Sequence, residues 1–446
     1  MEKCKSCSKY YGSPRISSEF KDCALPLTFD QYNHCSFGCK YCFGVQFKEC
    51  NPAYKGGIVI KPVNHIRLSK IILGKEPNNP YYQNFFKNRF IFHWGGLNEP
   101  FCHIEKKYKV GLEIMKTLSS VKYPTLFSTK GLSMFLDNNE YMDIFQKGSE
   151  SNHFAFQFSI ITNSDETSKK IEPNTPVTSE RLKAMKAMSD LGYWTILRLR
   201  PFIIGITDIN LEDLLQHAKD NGAKAVSTEF FAIDKRVAPM LSKQFNAISD
   251  IIGFNILDYY TSLSPHERGG YGRLNRDVKE PFMKRLYKKC KEIDLEVNIS
   301  DPDFKELNDS GCCCGLPEEY ELNTELASWS KGQLTYQLKE LRKKYWLTGN
   351  AELKFEDIDK LVINKWYEEP KYLKDSIKYW NTDFAKVGVG HKSEFIHSWN
   401  NLRSPDNPYN YFMGVLKPSS VDKNGMLIYK YNPQSYEKRW KLEGLL

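Results

Sequence analysis

Short runs of β-branched and aromatic residues alternate, up to about residue 230, with segments whose apolar positions recur every three or four residues. The runs predict strands and the recurring segments predict helices, because each period places apolar side chains on one face. The predicted strands are Leu25–Phe29, Phe90–Trp94, Thr125–Thr129, Phe154–Ile161, Trp194–Arg200 and Ala225–Phe230. The predicted helices are Ile104–Leu118, Met134–Gln146, Ser179–Leu191 and Leu211–Asn221.

Residues typical of helix ends frame two of these helices. Ser179 and the Asp208–Asn210 segment predict helix N-caps, and Gly192 and Gly222 predict the points where the helices stop. Alternation of strands and helices every roughly 30 to 40 residues predicts βα units and a parallel sheet. Six such units favour an open or closed barrel. The first predicted turn lacks the G-x-G-x-x-G pattern, which disfavours a dinucleotide-binding sheet.

Polar and apolar side chains alternate in the last three predicted strands. Because successive side chains of a strand point to opposite faces, one face of the sheet is predicted to be polar. A barrel interior packed for stability alone would be filled with Val, Ile and Leu. We therefore expect a ligand on the polar face; the alternative, a solvated face of an antiparallel sheet, fits poorly with the intervening helices. The polar positions are Gln157, Ser159, Arg198, Arg200, Ser227 and Glu229.

The length of 446 residues predicts a barrel-sized domain with an appendage. From Glu325 onward the composition changes: six of the eight tryptophans lie there, among 20 Lys and Arg and 15 Asp and Glu. Aromatic and basic side chains together suit nucleic-acid binding, but they equally suit the core of a small appended domain. The predicted segments are a cysteine-containing segment at 1–24, a barrel at 25–300, a Cys-rich connector at 301–324 and a C-terminal domain at 325–446.

The formal net charge of +9 fits an anionic partner such as nucleic acid without requiring one. No stretch of about 18 apolar residues is present, and Met1–Tyr11 is too polar for a signal peptide. We expect a cytoplasmic protein without a membrane segment.

The twelve cysteines fall largely into three groups. A disulfide framework is one interpretation, but it is typical of short secreted domains. In the second group, Cys35, Cys39 and Cys42 have the spacing C-x3-C-x2-C. Three thiolates on one loop can bind three irons of a [4Fe–4S] cluster and leave the fourth open. Zinc sites usually have four ligands in paired spacings, so zinc and a purely structural metal are the weaker alternatives.

The segment Tyr32–Phe43 resembles the radical S-adenosylmethionine (SAM) superfamily, and more narrowly its branch with spore photoproduct lyase and the DNA repair photolyase-like proteins. The resemblance covers roughly Leu25 to Asp234. It implies a partial (β/α)6 barrel with a C-terminal α+β appendage. Further matching stretches are Phe92–Pro100, Ser128–Gly131, Ser159–Ile160, Ile171–Pro173 with Arg181, and Arg198–Asp208.

The resemblance also implies a set of SAM-binding residues. Gly95 and Gly96, with Asn98 or Glu99, are expected near the methionine amine. Lys130 and Ser159 are expected to contact the SAM carboxylate. The remaining expected residues are Tyr41, near the adenine, and Arg198, which contacts SAM or substrate.

The reaction implied is reductive cleavage of SAM to a 5′-deoxyadenosyl radical, which abstracts hydrogen from a nucleic-acid base or nucleotide. An electron donor such as flavodoxin or ferredoxin is implied as well. Spore photoproduct lyase has a hydrogen-donor cysteine near the second strand end, where this chain reads Phe92–Gly96 without one; this argues against thymine-dimer lyase activity. The alternatives are a radical enzyme modifying a peptide or small metabolite, and a metal-containing nucleic-acid-binding protein without catalysis.

Six of the nine cysteines outside the C-x3-C-x2-C motif form two further groups. They are expected to form an auxiliary iron–sulfur or zinc site if the chain ends fold together, with ordinary or structural thiols as the alternative. They are Cys4, Cys7, Cys23, Cys312, Cys313 and Cys314.

Overall fold

The chain forms two compact units. The first comprises Met1–Arg15 and Leu27–Glu296, and the second comprises Ile16–Pro26 and Val297–Leu446. The domain boundaries expected from composition stay a prediction. The computed structural model describes residues 14–16, 25, 27–42, 60–79, 81–87, 89–234, 238, 241–264, 267–268, 271–317, 334–358, 398–405 and 407–446.

The first unit is built on six consecutive parallel strands, each paired with the next along the chain. A second, antiparallel sheet has the order β8-β10-β9. The strands up to the end of the unit are β1 Arg15–Ile16, β2 Leu27–Phe29, β3 Phe92–Trp94, β4 Thr125–Thr129, β5 Phe154–Ser159, β6 Trp194–Phe202, β7 Ala225–Phe230, β8 Ala232–Asp234, β9 Glu267–Arg268 and β10 Tyr271–Arg273.

Helices connect the parallel strands, so the order of elements is that of a partial (β/α)6 barrel, as predicted. A π-helix at Tyr82–Phe86 and a 3-10 helix at Leu132–Phe135 add to them. The α-helices are α1 His65–Ile72, α2 His103–Tyr108, α3 Val110–Ser120, α4 Asn139–Ser149, α5 Asp165–Ile171, α6 Thr178–Asp190, α7 Leu211–Asp220, α8 Ser242–Ile252, α9 Ile256–Leu263 and α10 Arg276–Glu292.

The predicted helix Ile104–Leu118 is interrupted at Lys109, whose φ of 51° is left-handed. Ser179 is not an N-cap: helix α6 begins one residue earlier, at Thr178, and the Val177 N–H donates to Glu180 Oε2 at 2.8 Å. The predicted end of helix α6 is confirmed. Gly192 follows the helix with a φ of +89°, a backbone angle that residues with a Cβ adopt only under strain.

One face of the parallel sheet carries a ladder of aromatic rings. Phe29 lies 5.3 Å from Trp94, and Trp94 lies 5.4 Å from Phe127. Phe127 stacks in turn on Phe156 at 5.3 Å. All four side chains are buried. Offset and edge-to-face ring contacts add about 0.5–1.5 kcal/mol each to the burial of apolar area. This ladder is the apolar side of the period-two pattern.

The opposite face is polar, as predicted. His93 Nε2 lies 2.8 Å from Ser128 Oγ, and the Ser128 hydroxyl donates to Gln157 Oε1 at 2.5 Å. Arg198 Nη1 donates to Ser159 Oγ at 3.3 Å on the same face. Hydrogen bonds between side chains thereby link each of the four strands β3 to β6 to the next.

The second unit mixes helices with a three-stranded antiparallel sheet of order β12-β14-β13, which confirms the expected α+β appendage. Trp399 and Trp440 are almost fully buried, as core residues are. Trp329, Trp366 and Trp380 lie outside the described residues. The elements are β11 Glu296–Ile299, α11 Leu334–Thr348, β12 Glu352–Leu353, α12 Phe355–Ile358, α13 Pro408–Tyr411, β13 Leu416–Val421, β14 Leu427–Tyr431 and α14 Ser435–Leu442, with a 3-10 helix at Lys305–Leu307.

Candidate active site

The loop after strand β2 carries the motif cysteines and is tied to the loop after strand β3. Asp30 Oδ1 accepts from the Leu97 N–H at 3.1 Å and from the Asn98 N–H at 2.8 Å. The Asn98 side-chain amide donates to the Tyr32 carbonyl at 2.8 Å. The predicted site residue Asn98 therefore braces two neighbouring loops.

Glu99 joins the ends of strands β3 and β4. Its Oε1 accepts from the Phe101 N–H at 3.1 Å and from the Thr129 hydroxyl at 2.5 Å, while Oε2 accepts from the Lys130 N–H at 2.7 Å. Burial raises the pKa of Glu99, and the Thr129 hydroxyl and Lys130 oppose that rise. The carboxyl group predicted to complete the SAM site thus holds Lys130 in place through its backbone.

Gly95 directly follows strand β3 and lies against the backbone of strand β4. A Cβ on Gly95 would lie 2.3 Å from the Ser128 carbonyl oxygen, and its φ is +95°. The next residue, Gly96, is half-buried. The need for glycine at position 95 therefore has a packing reason that is independent of any ligand.

The three motif thiols are partly exposed and lie close to one another. Burial raises the pKa of the Cys35 thiol well above its usual value, and the neighbouring Cys102 and Cys39 thiols raise it further. Burial raises the pKa of Cys39 to about 12, opposed by the Lys130 ammonium and reinforced by Glu172 and Cys42. Each thiol is thus within electrostatic reach of the others, and a cation stands beside Cys39.

The three motif thiols have the chemistry that a [4Fe–4S] cluster requires of its ligands. Among the residues that the structure describes, no group of three or more His, Cys, Asp or Glu side chains could hold a metal ion. In a [4Fe–4S] cluster each cysteine binds a different iron, so the thiols do not have to converge on one point. Three neighbouring thiols beside a cation satisfy that requirement, because the cation favours the anionic form of the thiolates and the cluster.

Lys130, at the end of strand β4, lies beside the cysteine loop. Its Nζ is 5.8 Å from the centre of the Tyr41 ring and 3.9 Å from Glu172 Oε1. The Tyr41 hydroxyl donates to the same Glu172 oxygen. Arg181 Nη1 pairs with Glu172 Oε2 at 2.6 Å. The structure therefore brings two of the predicted residues, Tyr41 and Lys130, to one buried carboxylate.

Ser159, at the end of strand β5, and Arg198, in the middle of strand β6, form a second pair. They are register partners and are joined by the 3.3 Å hydrogen bond between Arg198 Nη1 and Ser159 Oγ. The Ser159 carbonyl accepts from Arg181 Nη1 at 2.9 Å. Through Arg181, the pair is connected to Glu172 and so to the group around Lys130.

No protein-family model matches the chain. No curated protein matches its sequence. Among solved structures, spore photoproduct lyase is similar at 13% identity and a TM-score of 0.47, with 62% of this chain and 76% of that one covered. A variant of that lyase with bound AdoMet and dinucleoside spore photoproduct is similar at 13% identity and a TM-score of 0.47, with 64% of this chain and 79% of that one covered. SuiB of Streptococcus suis bound to S-adenosylmethionine is similar at 12% identity and a TM-score of 0.37, with 62% of this chain and 50% of that one covered.

These proteins are radical SAM enzymes, so the resemblance seen in the motifs is found again as a structural likeness of low identity. The order and register of strands β2 to β7 give the fold independently of this likeness. Within the described residues, no helix is long and apolar enough to cross a membrane.

The expected auxiliary cysteines are described only in part. Cys4, Cys7 and Cys23 lie outside the described residues. Cys312 and Cys314 are buried thiols of the second unit. Between them in sequence, the Cys313 Sγ accepts a hydrogen bond from the Ser300 hydroxyl, with 3.7 Å between sulfur and oxygen.

Sequence reasoning gave no role to Glu172 and Arg181, and it did not place Cys102 against the cysteine loop. Charged residues are usually exposed, so nothing in the composition of this segment marks two of them as buried. The signal that could have found them is the stretch Ile171–Pro173 with Arg181, which carries part of the resemblance described above. Cys102 precedes helix α2 and is fully buried.

Proposed function

We propose that the chain is a radical SAM enzyme that cleaves S-adenosylmethionine reductively and abstracts hydrogen from a substrate. The observation that supports this most directly is the group of three thiols, Cys35, Cys39 and Cys42, beside the Lys130 ammonium at the ends of parallel strands. Ligands bind at this edge of barrels because loops from several strands converge there.

In this proposal the three cysteines hold a [4Fe–4S] cluster, and their thiols lose their protons when the metal binds. When bound, the cluster and SAM supply the radical chemistry, with one electron from a donor such as flavodoxin or ferredoxin producing a 5′-deoxyadenosyl radical. Lys130 and Ser159 orient the SAM carboxylate by a charge and a hydroxyl. Tyr41 and Arg198 lie next to these two residues and complete the site.

The test is anaerobic reconstitution with iron and sulfide, followed by reduction in the presence of SAM. The wild-type protein is expected to show a brown [4Fe–4S] chromophore and to release 5′-deoxyadenosine. Changing Cys35, Cys39 and Cys42 together to Ala is expected to abolish both while the protein stays folded. Cys290→Ala, a buried thiol of helix α10, is the control and is expected to retain both. Undiminished cleavage by the triple variant would contradict the proposal.

For the substrate we propose a nucleic-acid base or nucleotide. The net charge of +9 and the arginines of strand β6, Arg198 and Arg200, support an anionic substrate. Salt-dependent binding of DNA or RNA, together with deuterium transfer from the bound nucleotide into 5′-deoxyadenosine, is the expected result. Transfer from a peptide or small metabolite instead would favour the second candidate. Absence of any SAM cleavage would favour a nucleic-acid-binding protein with structural metal.

We also propose an auxiliary iron–sulfur or zinc site that uses Cys4, Cys7 and Cys23. The C-x2-C spacing of Cys4 and Cys7 lets two thiolates bind one metal, and one of Cys312, Cys313 and Cys314 is the expected fourth ligand. Protein lacking the three motif cysteines is expected to retain metal and to lose it when Cys4 and Cys7 are also changed to Ser. Elemental analysis decides between this site and ordinary thiols, which would leave the first variant free of metal.

A further inference from the structure

Glu172 and Arg181 form an ion pair that is sealed from solvent. Arg181 Nη1 lies 2.6 Å from Glu172 Oε2, and their side chains are 1% and 0% exposed. Taking two charges out of water costs several kcal/mol per ion, and apolar residues of similar volume often give an equally stable protein. Stability alone is therefore a weak explanation for this pair, and its other contacts indicate what it does.

The pair contacts three of the residues expected in the site. Glu172 accepts from the Tyr41 hydroxyl and lies 3.9 Å from the Lys130 ammonium. Arg181 donates to the Ser159 carbonyl at 2.9 Å. The cysteine loop, the end of strand β4 and the end of strand β5 are thereby fixed to one buried pair.

The backbone on either side of Glu172 also follows the cysteine loop. The Lys40 N–H, between Cys39 and Cys42, donates to the Ile171 carbonyl at 2.9 Å. At Gly38, whose φ of +66° is left-handed, a Cβ would lie 3.6 Å from the Asn174 side-chain amide. The segment from Ile171 to Asn174 therefore lines the part of the loop that carries two of the three thiols.

Arg181 is itself held by several acceptors. Its Nε donates to the Pro176 carbonyl at 2.7 Å, and Nη2 donates to the Ser168 hydroxyl at 3.3 Å and to the Thr175 hydroxyl. Because hydrogen bonds hold every nitrogen of the guanidinium, Arg181 fixes the position of the Glu172 carboxylate. The Glu172 carboxylate in turn fixes the position of the Tyr41 hydroxyl, which donates to it. A rigid scaffold of this kind removes conformational freedom from a loop before any ligand binds.

We propose that Glu172 and Arg181 are positioning residues that hold the Cys35–Cys42 loop in the conformation that retains the iron–sulfur cluster. The inference rests on the proposed function, since it concerns the same loop. Neither residue is itself a ligand of iron in this proposal. Their effect passes through the Tyr41 hydroxyl and the Lys40 amide to the thiols of Cys39 and Cys42. Mutation of residues that hydrogen-bond to metal ligands commonly lowers metal affinity by about 10- to 100-fold.

The experiment measures how fast the reconstituted full-length protein loses iron to a chelator. Tyr41→Phe removes only the hydroxyl that contacts Glu172 and is expected to lose iron about 10-fold faster than wild type. Glu172→Gln, which keeps the side-chain shape, is expected to behave likewise and to alter the electron paramagnetic resonance signal of the reduced cluster. Thermal melting of the same samples checks that each variant is folded.

Tyr141→Phe is the matched control, because it also removes a buried hydroxyl from a buried carboxylate, Glu105, but in helix α4. It is expected to lose iron at the wild-type rate. Equal iron loss from wild type, Tyr41→Phe and Glu172→Gln would overturn the inference and leave the proposed function intact. Fast loss from Tyr141→Phe as well would also overturn it, because the effect would then be a general loosening. If Glu172→Gln does not fold, Tyr41→Phe decides. A wild-type protein that takes up no iron would overturn both proposals.

Discussion

The packing at the end of strand β3 depends on the missing Cβ of Gly95 and on its backbone N–H. The Gly95 N–H donates to the Phe29 carbonyl at 2.9 Å, which continues the pairing of strands β2 and β3 by one residue. On the other side, the Ser128 carbonyl oxygen of strand β4 occupies the space in which a Cβ of residue 95 would lie. The absence of a side chain thus lets three strands meet before the chain turns to Asn98 and Glu99.

Gly95→Ala is therefore expected to lower the free energy of unfolding by about 2–4 kcal/mol, from overpacking and from the positive φ together. Gly192→Ala is the matched control, because its φ is similarly positive at +89° while nothing lies within 4 Å of the added Cβ. That variant is expected to lose only about 1–2 kcal/mol. Urea denaturation of both measures the difference, and equal losses would show that the Ser128 carbonyl can move.

Lys130→Ala and Ser159→Ala are each expected to weaken SAM binding by about 1–3 kcal/mol, the range for a lost hydrogen bond to a charged group. Calorimetry on cluster-loaded protein is the measurement. Lys170→Ala, which removes an exposed lysine that pairs with Glu166 in helix α5, is the control and is expected to bind SAM as wild type does. Unchanged affinity in the first two variants would exclude both residues from the SAM site.

Between elements, one buried carboxylate organises the helices behind the cysteine loop. Glu105 of helix α2 accepts from the Gly111 and Leu112 N–H groups at the start of helix α3, both at 2.9 Å. It also accepts from the Tyr32 hydroxyl at 2.5 Å and the Tyr141 hydroxyl at 2.6 Å. The break at Lys109 is what places the free N–H groups of helix α3 against this side chain. An unbroken helix would have no such donors to offer.

Glu105→Gln is expected to lower the free energy of unfolding by about 2–4 kcal/mol, because one oxygen cannot accept all four hydrogen bonds and the new amide N–H groups face donors. Glu113→Gln, an exposed position of helix α3 that pairs with Lys116, is expected to change it by less than about 0.5 kcal/mol. Chemical denaturation compares the two. A loss from Glu105→Gln as small as that of the control would mean that the network rearranges.

On the scale of the whole molecule, each unit encloses charged side chains of its own. In the second unit, Glu437 accepts from Arg342 Nε and Trp346 Nε1, both at 2.9 Å, and from the Tyr431 hydroxyl at 2.6 Å. Glu306 is also fully buried and accepts from the Tyr436 hydroxyl. Burial, and after it the neighbouring Glu437, raises the pKa of Glu306 to about 8.

This shift predicts how stability depends on pH. Between about pH 4.5 and pH 8 the folded unit retains a proton that the unfolded chain has released, so the free energy of unfolding falls as the pH rises through this window. The slope is at most about 1.4 kcal/mol per pH unit. Glu306→Gln is expected to flatten the profile and to be the more stable protein at pH 9.

Urea denaturation of the full chain at pH 5, 7 and 9 measures this, with tryptophan fluorescence as the signal because six of the eight tryptophans follow residue 325. Glu356→Gln, an exposed carboxyl of helix α12, is the control and should keep the wild-type profile. A Glu306→Gln profile with the wild-type slope would assign the pH dependence to other groups.

The sequence by itself determined the strands and most helices of the first unit, because alternation with period two and recurrence every three to four residues are local patterns. It also determined the spacing of Cys35, Cys39 and Cys42, which chain geometry keeps together on any loop. The break at Lys109 was missed because the apolar recurrence continues through it, and because the Tyr32 and Tyr141 hydroxyls that contact Glu105 beside the break are distant in sequence.

Only the tertiary structure decided which charged residues are buried and what they contact. The approach of Glu172 and Arg181 to Tyr41, Lys130 and Ser159 joins residues up to 131 positions apart, and no local pattern encodes such a meeting. The same holds for Cys102 beside Cys35 and for Glu306 beside Glu437. A buried charge is stable only where packing supplies its partners, so its presence can be recognised only after the strands and helices have been assembled.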